Sequence, residues 1–304
     1  MKKYFELMRL PFLTVTIGGV LIGTAYAYWK TGSIDFLRFF LALLAASFIH
    51  AATNVVNDFF DYISGNDPAN VKAISPFSGG SRKIVTGEVK PKEALLFSII
   101  LTLAGAAIGL YLNFTVKGNL VLYIGIMGIF LVFSYNGIFP RFVYIGLGEF
   151  VIFLAWGPLM VAGAYAVQTG KITPDLFWVS FLPGILTSLI LIINEFADEE
   201  ADRKVGRRTW VILFGRARTM DLYLFFMLLA YGLTFCAILL KKLPKFSAIV
   251  VAALILGVKA YSHGKTKVNS EPAEFLPAVL NTINHYNLSA LLLTASLVAG
   301  RLLS

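Results

Sequence analysis

Residues 54–67 read Asn-Val-Val-Asn-Asp-Phe-Phe-Asp-Tyr-Ile-Ser-Gly-Asn-Asp, and they close an apolar run that begins at Phe36. The run from Phe36 to Val56 is long enough to cross a bilayer core as a helix. Polar and acidic side chains at that depth are costly and mark functional sites. On a helix, His50, Asn54, Asn57, Asp58 and Asp61 stand at offsets of 0, 4, 7, 8 and 11, which puts them on one stripe. The stripe ends as a column of amide and carboxylate oxygens. Such oxygens suit a hard cation like Mg2+, which takes a few carboxylates and leaves room for substrate oxygens. The plainer alternative is a helix end surfacing into water with solvated carboxylates.

A second stretch weighs against that alternative. Asn194, Asp198 and Asp202 recur every four residues, again on one helical face, after an apolar run from Phe177 to Ile193. Like charges stacked this way repel unless a cation or a basic group offsets them. Basic groups follow both columns: Arg82 and Lys83 after the first, and Arg203, Lys204, Arg207 and Arg208 after the second. Carboxylates that hold Mg2+, with Lys and Arg nearby, are what a diphosphate needs. Gly79 and Gly80 would let backbone N–H groups turn inward and cradle an anion.

The paired motifs resemble the two Asp-rich motifs of the UbiA superfamily of intramembrane prenyltransferases. The first falls here on Asn57, Asp58 and Asp61, the second on Asn194, Asp198 and Asp202, with Lys204 and Arg207 downstream. Residues 135–140 (Tyr-Asn-Gly-Ile-Phe-Pro) and 146–149 (Gly-Leu-Gly-Glu) are similar to family features between the motifs. Many members carry a third Asp four residues after the second, where this chain has Gly65, and the next acid is Asp67. That spacing resembles the naphthoate and UBIAD-like branch. The resemblance implies Mg2+ held by Asp58, Asp61, Asp67, Asp198 and Asp202. It also implies a diphosphate bound by Asn54, Asn57, Asn194, Arg82, Lys83, Lys204 and Arg207. The implied reaction is prenyl transfer from an isoprenyl diphosphate to an aromatic acceptor. Dihydroxynaphthoate, for menaquinone, ranks first, with hydroxybenzoate, haem or geranylgeranylglyceryl phosphate as alternatives. The expected partners are those substrates and the bilayer, with no nucleic acid.

Bulk properties agree with a membrane protein. The 304 residues are 58% hydrophobic and 14% charged, against about 25% charged in a soluble domain. Nine spans are expected at 11–29, 36–56, 94–113, 119–138, 147–167, 176–197, 220–240, 246–262 and 285–303. The fold expected is an all-α bundle around a central cavity, in a single domain covering 1–304. The loops 65–92 and 201–218, with the segment 270–274, would cap the site. With the N-terminus inside the cell, the inner segments carry 18 of the 26 Lys and Arg residues. The positive-inside bias therefore places both acidic columns at the cytoplasmic face of a multi-pass cell-membrane protein.

Single residues divide between function and packing. Arg9, just before the first span, either snorkels to the interface or reaches the diphosphate. Tyr135 is either an interfacial anchor or a catalytic group at the acceptor ring. His50 is expected to pack. Cys236, the only cysteine, cannot form an intrachain disulfide and is expected as a small packing residue. Gly105 and Gly109, and Gly18, Gly19 and Gly23, mark close helix approaches. The rival class is an ion-coupled transporter, whose acids would sit near the bilayer midplane instead of at one side.

Overall fold

The computed structural model describes residues 2–116 and 118–303, and among these it contains helices and no strands. The chain opens with a short helix α1 (Lys2–Leu7) and then the first long one, α2 (Leu13–Thr31). Helix α3 (Phe36–Ile63) starts where Asp35 Oδ1 accepts the Arg38 N–H at 3.0 Å, an N-cap. At 28 residues α3 is about 42 Å long, more than the roughly 30 Å hydrocarbon core. Its excess carries Asp58 and Asp61 past the apolar part. Gly65, at φ +81°, ends the helix in the left-handed conformation that favours glycine.

A four-residue helix α4 (Asn66–Ala69) follows, and a long loop leads to α5 (Pro91–Thr115) and α6 (Leu120–Asn136). Helices α7 (Gly148–Leu154) and α8 (Met160–Thr169) are one rod interrupted by a π-helical turn, Ala155–Leu159. Pro158 lies in that turn and withholds an N–H from the ladder. Helix α9 (Leu176–Lys204) carries the second acidic column. The chain closes with α10 (Trp210–Phe214), α11 (Arg216–Leu239), α12 (Leu254–Thr266, entered by a 3-10 stretch) and α13 (Pro272–Leu302).

Seven helices among the described residues are long and apolar enough to cross a membrane. The two other expected spans, 119–138 and 285–303, fall on α6 and α13. Helix α6 has only 17 residues. Helix α13 is less apolar because much of it faces other helices instead of lipid. Tyr286 Oη donates to the Val15 carbonyl at 2.7 Å, and Tyr231 Oη lies 2.6 Å from His285 Nε2 and 2.9 Å from Ser289 Oγ. These polar groups find partners inside the bundle, as a membrane interior favours.

Glycine sets the closest approaches. A Cβ on Gly157 would lie 2.6 Å from the Gly184 Cα, so the α7–α8 break and α9 meet backbone to backbone. Gly18 and Gly23 seat α2 between α13 and α8, and Gly105 seats α5 on α3. Gly109 does not extend that contact: it faces open space. Cys236 is also not a packing residue. It is exposed on α11 beside exposed Phe235 and Leu239, on the face turned away from the bundle.

The expected cap is present at the acidic end. Lys72 Nζ lies 3.0 Å from Glu271 Oε2 and 3.9 Å from Glu200 Oε1, which ties the loop after α4 to α9 and to the segment before α13.

Candidate active site

The acidic ends of α3 and α9 meet across one cavity. Its wall includes Asn54, Asn57 and Asp61 from α3, Asp67 from α4, and Asn194, Asp198 and Asp202 from α9. Arg9, Tyr135 and Arg207 also line it, with Asn66, Glu195 and Thr209 among its further polar residues. The two helices are joined by donors from α4 and the residue after it. Asn66 Nδ2 donates to Asp202 Oδ1 at 2.7 Å, and Asn70 Nδ2 to Asp198 Oδ1 at 2.6 Å.

The carboxylates of both columns are met by donors from the protein. Asp58 accepts from the Arg9 guanidinium, from Ser81 Oγ and from the Ser81 N–H at 3.0 Å. Asp61 accepts from Arg207, from Asn57 Nδ2 at 2.9 Å and from Asn136 Nδ2 at 2.7 Å. Arg207 also donates to Asp202 at 3.1 Å, so one buried guanidinium bridges the two columns. The Gly79–Gly80 turn does aim N–H groups inward, as both glycines have positive φ. The Gly79 N–H holds a carboxylate, donating to Asp198 Oδ1 at 3.0 Å. A Cβ on Gly80 would sit 2.6 Å from Asp58 Oδ1 and 2.9 Å from Asp67 Oδ2, so only glycine fits there.

The remaining basic residues stand elsewhere. Arg82 Nη1 donates to the backbone carbonyls of Asp67 at 2.5 Å and Asn70 at 3.0 Å, which pins α4 in place. Lys83 pairs with Glu6 at 2.5 Å and with Glu88 at 2.9 Å, and Lys204 is exposed. None of these three lines the cavity. The cations that do are Arg9, which reaches the site instead of snorkelling, and Arg207. His50 accepts or donates a 2.7 Å hydrogen bond with Thr16 and sets its ring edge against Trp156, 5.0 Å between centroids. Asn54 Nδ2 donates to the Met8 carbonyl at 2.8 Å, anchoring the N-terminal segment that carries Arg9.

Sequence reasoning overlooked Asn66, Asn70, Ser81 and Asn136. Asn136 had a signal, since it lies inside the 135–140 motif. Asn66, in the four-residue α4, and Asn70 and Ser81, in the loop after it, belong to no run long enough to show a periodicity that points them inward.

The donor chemistry fits Mg2+. All five Asp residues offer oxygen only, and Asp67 Oδ1 has no hydrogen-bond partner. Burial, and then the charges of Asp61 and Asp58, push Asp67 up to about 8, a crowding that a cation relieves. Among the described residues no three His, Cys, Asp or Glu side chains already converge as a metal site. Mg2+ uses one or two carboxylates plus substrate phosphates, so a complete protein cage is not required.

A second cavity adjoins the first. It is apolar, lies among α3, α5, α6 and α8, and shares His50, Thr53, Val132, Ala155 and Trp156 with the acidic one. Gly109, Gly125 and Gly128 line it and leave it open, since a Cβ on any of them would meet nothing within 4 Å.

A helical membrane bundle with an acidic, oxygen-rich cavity that runs into an apolar slot is the architecture of an integral-membrane prenyltransferase. The chain matches the UbiA prenyltransferase family over residues 16–288 and belongs to that family. It is 26% identical over 294 residues to a 2-carboxy-1,4-naphthoquinone phytyltransferase from Synechocystis, covering 97% of this chain and 92% of that one. It is 26% identical over 215 residues to the 1,4-dihydroxy-2-naphthoate octaprenyltransferase of Escherichia coli, covering 70% and 69%. A UbiA homologue from Archaeoglobus fulgidus, solved bound to DMAPP and Mg2+, shares the fold with a TM-score of 0.70 at 17% identity, covering 98% of this chain and 99% of that one. The protein is a prenyltransferase, and the transporter reading falls away.

Proposed function

We propose that this chain transfers a prenyl group from an isoprenyl diphosphate to 1,4-dihydroxy-2-naphthoate, with Mg2+ as cofactor and the site at the cytoplasmic face. The observation that carries the reading is the union of the two cavities: carboxylates and two guanidiniums at one end, an apolar slot at the other, five residues in common. A molecule with a charged head and a long apolar tail matches both. The naphthoate acceptor is supported by what the two relatives act on by name. The cytoplasmic placement rests on the charge bias of the loops.

Asp58, Asp61 and Asp67 would hold the metal from one side, and Asp198 and Asp202 from the other. Mg2+ bound there would neutralise diphosphate oxygens and improve the leaving group. The protein's own groups do the rest. Arg9 and Arg207 supply charge-assisted donors toward the same oxygens. Asn194, whose Oδ1 has no partner, offers a free amide at the cavity wall. Tyr135 and Trp156 line the cavity and would supply aromatic rings to stabilise the carbon that becomes cationic as diphosphate departs. Burial at the junction of the cavities keeps water from that carbon.

Purified protein incubated with Mg2+, isoprenyl diphosphates of several lengths and a panel of aromatic acceptors, with products identified by mass, tests this. A prenylated naphthol product is expected. Transfer to hydroxybenzoate alone would assign a different acceptor, and no transfer to any aromatic would end the reading.

A further inference from the structure

Two carboxyl groups near this cavity are left unused by the diphosphate end. Glu195 stands three residues before Asp198 on α9, about 4.5 Å deeper along the helix. It is 4% exposed and lines the cavity, and neither of its oxygens meets a donor from another residue. Glu149, in the first turn of α7, is 2% exposed. It is fixed from behind: Oε1 accepts the Trp210 N–H at 2.7 Å, and its backbone carbonyl accepts Ser188 Oγ at 2.7 Å, while Oε2 has no such donor. The two carboxyl groups lie within hydrogen-bonding reach of each other. Two carboxyl groups this close bond to each other only when they share a proton.

The surroundings are suited to a hydroxylated ring. Tyr135 has Glu195 as its strongest charged neighbour. Thr209, also in the cavity wall, keeps its Oγ1 without a partner although it is only 2% exposed. Three buried carboxyl oxygens without a donor are an expensive way to join α7 to α9, since apolar residues of the same size would do so at less cost. Glu195 is left open at the cavity wall, and Glu149 is held next to it by the Trp210 N–H, so the unpartnered oxygens are placed to meet a ligand.

Resting on the prenyl-transfer reading above, we propose that the Glu149–Glu195 pair is the acceptor end of the site. It binds a hydroxyl of the aromatic acceptor and takes its proton as the carbon–carbon bond forms. The acceptor O–H bond breaks, and its proton goes to the charged oxygen of the pair, which then holds two protons. The electron pair left on oxygen feeds the ring, and a ring carbon bonds to C1 of the prenyl group. The C1–O bond breaks, and its electrons leave with the diphosphate. That ring carbon then sheds carbon dioxide, where it bears a carboxylate, or a proton, which the released diphosphate takes; the electrons of the broken bond restore the aromatic ring and its oxygen anion. The pair returns its proton to the oxygen.

The test uses the full chain in detergent with Glu195→Gln and Glu149→Gln. Isoprenyl diphosphate binding with Mg2+ should stay within about twofold. Acceptor-dependent turnover at saturating substrates should fall by about 100-fold or more, the scale of a lost general base. The loss should shrink along a series of acceptors with increasingly acidic hydroxyls, which a merely structural role would not produce. Turnover of Glu195→Gln near that of the unchanged protein would overturn the proposal. So would an equal loss across the acceptor series, or a parallel loss of diphosphate binding. If the unchanged protein prenylates no hydroxylated aromatic, the functional reading and this assignment fall together; product from the unchanged protein with an unaffected variant removes only the assignment.

Discussion

Arg207 and Lys204 stand three residues apart at the end of α9 and do different things. Arg207 is 8% exposed and bridges Asp61 to Asp202, while Lys204 is in solvent. Removing Arg207 leaves two buried carboxylates facing each other. Arg207→Ala should therefore cost about 3–5 kcal/mol, and Lys204→Ala no more than about 0.5 kcal/mol, as read by unfolding in detergent. Equal, small changes would show that the bridge contributes nothing. Asp67 gives the complementary case, since its Oδ1 has no protein partner to lose. Asp67→Asn should leave the melting temperature alone and raise the Mg2+ concentration for half-activity by roughly tenfold, about the 1.4 kcal/mol of one weakened contact. An unchanged Mg2+ titration would remove Asp67 from the ligand set. The sequence exposed both columns because acids in an apolar run stand out. It did not separate Arg207 from Lys204, Arg82 and Lys83, because a basic residue in an irregular loop has no periodicity to say which way it points.

Among the elements, α6 shows how much the helical pattern conveys and where it stops. Hydropathy located the helix, and Tyr135 and Asn136 at its end were within a recognisable motif. Nothing in the sequence said that Gly125 and Gly128 would face a slot instead of a neighbour, since small residues read as packing sites. That slot is now testable. Gly128 has no atom within 4 Å of a would-be Cβ, so a larger residue fits without a clash and gains about 0.5–1 kcal/mol of helix propensity over glycine. Gly128→Leu should fold at least as well as the parent. It should shift the ratio of kcat/KM for long over short isoprenyl diphosphates downward by about tenfold, the 1–3 kcal/mol scale of steric discrimination in an apolar pocket. An unchanged length profile would mean that the tail lies elsewhere. The α7–α8 break was equally hidden: Pro158 hinted at it, but the backbone contact of Gly157 with Gly184 depends on two helices at once.

For the whole molecule, the charge bias of the loops makes a statement about sides. Thr86 and Arg208 are exposed and follow the two acidic columns. In a Cys236→Ala background, Thr86→Cys and Arg208→Cys should each react with an impermeant thiol reagent only from the cytoplasmic side of sealed cells or inverted vesicles. Reaction of the pair from the outer side would reverse the orientation. The fold as a bundle was legible because membrane spans announce themselves by length; the meeting of α3 with α9 was legible only through the likeness of their ends. The slot among α3, α5, α6 and α8 has a further consequence. Its rim residues Leu110 and Ile126 are exposed, which in a bilayer means exposed to acyl chains. A prenyl tail bound there, as proposed, would be drawn from a two-dimensional pool. Turnover should follow the mole fraction of isoprenyl diphosphate among lipids, so diluting it with inert phospholipid at constant bulk amount should slow the reaction in proportion, as a surface-dilution experiment would measure.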